Sequence, residues 1–148
     1  MPGRRRVGAG DPPGGLLLVS VMSRFGATCN VVRRAALEVL RDPGAGKVGS
    51  VLDHGELSGF PSRVRGEAHP PMHLYSSSEL VTMFDSCAVL AIAGSNVTAV
   101  EGDPAFEELA ADADAWATTV EVERRLCHQP GLLDTGSHLI AALQRPLA

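Results

Sequence analysis

Apolar residues in this chain come in short, separated bursts, and the spacing within each burst predicts an element. Leu16 to Val21 is apolar throughout except for Ser20 and follows a Pro-Pro-Gly-Gly turn. So short and unbroken a run predicts a strand buried on both faces, as in a parallel sheet. From about Ala27 to Leu40 the period lengthens. Val32, Ala36 and Leu40 recur every fourth residue while Arg33, Arg34 and Arg41 take the wet side, which predicts a helix stopped by Asp42-Pro43-Gly44. Gly44 to Pro71 has no sustained period and reads as a long irregular excursion, of the kind that is functional or mobile. Ser76 and Glu79 then form a capping box, predicting a helix with Leu80 and Phe84 inward. Ala88 to Ala93 reads as a second buried strand. Asp103 as N-cap and Pro104 in the first turn open a helical region. That region breaks near Asp112 and resumes to about Cys127, with Trp116, Val120 and Cys127 on one side. Gln129-Pro130-Gly131 stops it, and His138 to Leu143 is the last strand. The pattern contains no internal repeat.

Composition narrows the class without naming a chemistry. A chain of 148 residues is one domain rather than two, and 45% hydrophobic with 20% charged is the balance of a soluble globular protein. The net charge of -4 gives no electrostatic reason to expect nucleic acid. The longest apolar run is too short to cross a bilayer and lacks a signal-peptide layout, so neither membrane nor export is expected. Three widely spaced cysteines, Cys29, Cys87 and Cys127, form no CxxC pair. They predict a reducing, cytoplasmic setting with three mostly buried thiols, and no zinc site. Residues 1–11, rich in Gly, Pro and Arg, read as a disordered tail, and the sequon Asn96-Val97-Thr98 is expected to stay unmodified in the cytoplasm.

A series of segments, taken in order, resembles the carboxyl-terminal half of a class I S-adenosylmethionine-dependent methyltransferase. PPGGLLLVSVMSR (Pro12 to Arg24) is similar to that family's Pro-Gly-Gly turn and fifth strand. HPPMHLYSSSEL (His69 to Leu80) is similar to the His-Pro-x-x-His-x-aromatic segment that precedes a helix in a small-molecule branch. VLAIAGSN resembles the sixth strand and its exit, and GLLDTGSHLIAALQRP the final loop and seventh strand. The likeness covers about Pro12 to Pro146, and its weight lies in the ordering rather than in any single motif. It implies an α/β fold, a partial Rossmann-like sheet in the family's strand order 5-7-6, over residues 12–148, with a substrate-side insertion at about 44–75. It implies S-adenosylmethionine as cofactor and a small-molecule methyl acceptor as substrate. The family's glycine-rich turn after the first strand and its acidic residue ending the second have no counterpart here, Gly8-Ala9-Gly10 being preceded by no apolar strand. A truncated or frame-shifted reading frame, inactive or weakly active alone, is the expectation that follows.

The candidate chemistry crowds the insertion and the strand ends. The resemblance places His69 and His73 beside a substrate pocket, where a neutral imidazole accepts a proton from the group being methylated. Pro70-Pro71 between them forbids the one-helix-face geometry of a zinc protease, so no metal is assigned. Arg24, His54, Tyr75 and Asn96 are the candidate substrate contacts, set against plainer roles as packing or turn residues. Asp53 and Glu56 with His54 form a possible acid/base cluster, with a solvated loop as the commoner reading. Asp134 to His138 contains acid, serine and histidine, but neighbours in sequence cannot build a triad. A metal enzyme using His54, His69 and His73 is the weakest alternative. If the fold expectation holds, the Leu16 strand lies on an open sheet edge. That edge invites self-association or a complementing chain, and makes a non-catalytic interaction module the rival reading.

Overall fold

The computed structural model describes residues 13–33, 45–58, 70–98 and 104–147. Its architecture is mixed α/β. Strands β1 (Leu16–Met22), β4 (Ala88–Ser95) and β5 (His138–Gln144) form one sheet in the order β1-β5-β4. The central strand β5 runs antiparallel to both neighbours, so β1 and β4 run parallel to each other. A second, two-stranded sheet pairs β2 (Glu56–Leu57) with β3 (Met72–His73). The helices are α1 (Arg24–Arg33), α2 (Ala45–His54), α3 (Ser77–Met83), α4 (Pro104–Ala111) and α5 (Ala113–Leu126), and a 3-10 turn spans Leu133–Thr135. No helix among the described residues is long and apolar enough to cross a membrane.

All three strands lie where the apolar runs put them, but their burial differs from the expectation. On β5, Leu139, Ala141 and Leu143 are buried and pack with Leu80 of α3; Leu17, Val19, Val21, Phe84, Ile92 and Leu133 close around them. The opposite face is not covered. Leu16 is 73% exposed and Leu18 80%, so β1 is buried on one face and not on two. β4 departs in the same way: Val89 and Leu90 are exposed, and the register shifts between Val89 and Ala91. An extra residue there bends the strand and turns Leu90 out of the ladder.

Helix α1 starts three residues ahead of the expected Ala27. Ser23 caps it, with its Oγ accepting from the Gly26 amide at 3.1 Å while its carbonyl takes the Ala27 amide at 3.0 Å. Gly26 then passes so close to Gly136 that a Cβ would strike that residue's carbonyl, which seats α1 on the 3-10 turn. Val32, expected on the inward side, is 59% exposed; Ala36 and Leu40 lie outside the described residues. The irregular excursion holds a helix, α2, that its glycines disguise. Among its described side chains Val51 and Val48 supply an apolar face, and these pack with Leu57, Leu74, Met22, Ala27 and Met72 in a small second core.

The capping box forms as read: the Glu79 amide donates to Ser76 Oγ and the Ser76 amide to Glu79 Oε2. Asp134 reinforces it from 57 residues away, its two oxygens accepting from the Ser77 amide (2.7 Å) and hydroxyl (2.6 Å). Pro104 does open α4 and Asp112 caps α5; Asp103 lies outside the described residues. The expected inward stripe of α5 is not inward. Trp116 and Val120 are exposed, and neither α4 nor α5 has a buried residue. Phe106 of α4 meets Trp116 of α5 edge-to-face (5.8 Å between centroids), Glu121 pairs with Arg124 and Arg125 within α5 on the wet side, and Glu123 ties α5 to the segment after β4. The three cysteines are free and half-buried rather than mostly buried.

Candidate functional site

Polar side chains gather where β1 ends. The segment after β3 crosses the strand tip and adds a parallel bridge between Ser23 and Tyr75. The Tyr75 amide donates to the Met22 carbonyl (2.9 Å), and the Arg24 amide to the Tyr75 carbonyl (2.9 Å). On the other side of the strand the Ser23 amide reaches the Ser137 carbonyl (3.0 Å), and Ser23 Oγ donates to the Asp134 carbonyl (2.6 Å). Four elements are thereby stitched to one strand end: α1, the β2–β3 pair, α3 and the approach to β5.

Arg24, the first residue of α1, is buried, and its Nη2 pairs with Glu79 Oε1. Its Nε is also buried and has no hydrogen-bond partner. Gly55, with φ 73°, makes room for the guanidinium. A Cβ there would collide with the Leu74 carbonyl and sit 3.0 Å from Arg24 Nη2, so only glycine serves at the turn between α2 and β2. Glu79 is engaged on both oxygens. Besides Arg24 on Oε1, its Oε2 accepts from the Ser76 amide (2.8 Å) and hydroxyl (2.9 Å). Burial pushes this carboxyl up, but the Ser76 bonds and the Arg24 charge outweigh it and hold the group below its ordinary 4.5.

His73 lies between two carboxylates. Its Nδ1 is 3.0 Å from Oε1 of Glu56, the residue directly across the β2–β3 ladder, and its Nε2 is 3.9 Å from Glu79 Oε1. The imidazole meets the Tyr75 ring edge-on, with centroids 4.6 Å apart and planes at 70°. Arg24, His73 and Tyr75, three of the residues singled out from the sequence, therefore share one cluster. The acid/base group expected of Asp53, Glu56 and His54 does not assemble in that form. Glu56 turns to His73, while Asp53 and His54 are exposed at the end of α2. His69 lies outside the described residues. Among the described residues no three His, Cys, Asp or Glu side chains are grouped to hold a metal ion.

Asn96 follows β4, at the same end of the sheet as Ser23. It adopts the left-handed conformation (φ 57°), which asparagine tolerates better than most residues, and its Nδ2 donates to Ser137 Oγ (3.2 Å). The next amides, Val97 (2.6 Å) and Thr98 (2.9 Å), and the Thr98 hydroxyl (2.6 Å) all donate to Glu123 of α5. Burial raises the Glu123 carboxyl, but these donors prevail and lower it. Glu56 is a sequence candidate whose partner proves to be His73 rather than His54, whereas the roles of Asp134 and Glu123 have no counterpart among the sequence expectations. Each works across a separation of 17 to 57 residues, for which the sequence carries no local sign.

No protein-family model matches the chain, and no curated protein matches it.

Proposed function

We propose that this chain is the substrate-side portion of a class I S-adenosylmethionine-dependent methyltransferase-like domain, serving a small-molecule acceptor in the cytoplasm and inactive or weakly active by itself. The observation that carries the reading is the placement of β5. A strand inserted between two mutually parallel strands, antiparallel to both, agrees with the 5-7-6 order that the resemblance implies and so supports the reading. The gathering of polar groups at the carboxyl ends of β1 and β4 supports it further, because open α/β sheets bind ligands there. In this reading His73 accepts the acceptor's proton, Tyr75 and Arg24 wall its site, and Asn96 borders it from β4.

The cofactor itself finds no cradle among the described residues. Where β1 turns into α1, the Arg24 amide is spent on Tyr75 and the Gly26 amide on Ser23. Where β4 ends, the Val97 and Thr98 amides are spent on Glu123. These bonded amides are not the open row of donors that a glycine-rich turn presents. These residues do not fit S-adenosylmethionine, and the proposed role is confined to the acceptor side.

A second reading, a non-catalytic module that docks a partner through the open side of β1, is favoured by the exposure of Leu16 and Leu18. Calorimetry of the purified chain with S-adenosylmethionine tests the cofactor statement: no saturable heat is expected, and tight binding contradicts it. Translation of the upstream DNA in all frames tests the parentage. A glycine-rich strand–turn–helix in any frame upholds it, and its absence from every frame leaves the docking module as the better account.

A further inference from the structure

We infer that Glu56 is a positioning residue for His73, and that the pair presents His73 Nε2 as a bare acceptor for the O–H or N–H of a small neutral ligand. The acceptor role rests on the reading given above; the state of the ring does not. The argument starts from what each neighbour can give. An ionised carboxylate only accepts, so the 3.0 Å contact between Glu56 Oε1 and Nδ1 requires the ring proton to sit on Nδ1. A neutral imidazole then has its lone pair on Nε2. Among the described residues the carboxylate facing it, Glu79 Oε1, stands 3.9 Å away, beyond hydrogen-bond reach, and already holds Arg24. Glu79 Oε2 is taken by Ser76. Tyr75 meets the imidazole through its ring.

Charge decides the class of ligand. Glu56 from β2 and Glu79 from α3 flank the imidazole. Arg24 offsets Glu79 but leaves the Glu56 charge uncompensated, so an anion is disfavoured, whereas a neutral hydroxyl or amine can donate to Nε2. In the step this allows, the ligand's X–H bond breaks, the proton goes to Nε2 and the electron pair stays on X. The imidazolium so formed is stabilised by Glu56, as a carboxylate stabilises the base in an acid–base dyad. Glu56 and His73 face each other across the ladder between the two ends of the insertion. The insertion thus brings its own base and the group that orients it.

Long-range proton–nitrogen spectra of the 15N-labelled full chain at mildly alkaline pH read the tautomer directly, with the His73 signals identified by their loss in His73→Gln. The expected result is the Nδ1–H form in the parent chain, conversion toward Nε2–H in Glu56→Ala, and retention of Nδ1–H in Glu56→Gln, whose carbonyl still accepts. An Nε2–H ring or a doubly protonated ring in the parent chain overturns the inference, as does a tautomer indifferent to Glu56→Ala. The parent-chain spectrum decides even if a variant fails to fold. Failure of the methyltransferase reading leaves this spectrum unchanged, so the two outcomes are separable.

Discussion

Leu17, Val19 and Val21 leave β1 toward Leu80, Leu139 and Leu143, whereas Leu16 and Leu18, one step out of phase on the same strand, meet solvent. The open face continues across the sheet through cross-strand partners: Leu18 opposite Ala142 opposite Ala91, and Ser20 opposite Ile140 opposite Ala93. It is nearly as apolar as the covered face. What separates them is α3, which the capping box and Asp134 fasten over one side only. The same residues also carry the open edge. Ser23 spends its amide on the β5 side, while Met22 and Arg24 bond outward to Tyr75. Counting back by twos, the backbone groups of Ser20, Leu18 and Leu16 point away from β5. Tyr75 covers the tip of that edge, and β1 pairs only with β5 along the rest of it among the described residues. No charge, proline or bulge guards it. The two sides of one strand show that an apolar run records what a strand is suited to lie beneath, not what lies over it.

Substitutions on the two sides should therefore behave differently. Leu80→Ala, under the sheet, is expected to cost about 2–5 kcal/mol in denaturant unfolding; a loss near zero would mean that the covered face is not a packed core. Glu79→Ala removes half of the capping box and strands the buried Arg24, and an expected loss of about 1–3 kcal/mol would show in the same measurement. Acid should act through the same residue. Because the folded Glu79 carboxyl lies below its ordinary 4.5, its stabilisation is full above that value and is lost as pH falls through the lowered one. The parent chain should lose stability on acidification below 4.5, and Glu79→Gln should flatten that fall. Leu18→Lys, on the open side, should change stability by no more than about 0.5 kcal/mol. It should also abolish the concentration-dependent self-association expected of the parent chain in sedimentation. A parent chain that stays monomeric at every concentration would show that the open side is covered.

The fold was legible where a short apolar run or a local cap marks an element. Strands near Leu16, Ala88 and His138, the box at Ser76 and Glu79, and the break at Asp112 all follow from neighbours in sequence. Helix α2 was not legible, because Gly46 and Gly49 lower helix propensity and only one turn of it faces a core. The inward stripe assigned to α5 fails for the opposite reason: Trp116 and Val120 have helical spacing, but both stay exposed, with Phe106 of α4 edge-on against Trp116. Of the site, Arg24, His73 and Tyr75 were found through the resemblance, and the structure brings them together. Glu56, which bonds His73, and Asp134, which fastens Ser77 and Ser23 beside them, come from distant segments, and only folding makes them neighbours.

The central claim is that β5 lies between β1 and β4 and leaves one side of β1 open. Amide hydrogen exchange along β1, measured by NMR in a sample dilute enough to be monomeric, tests it residue by residue. Slow exchange at Leu17, Val19 and Val21, alternating with fast exchange at Leu16, Leu18 and Ser20, is the expected result. Uniform protection along the strand, or protection of the even-numbered residues instead, would contradict the account.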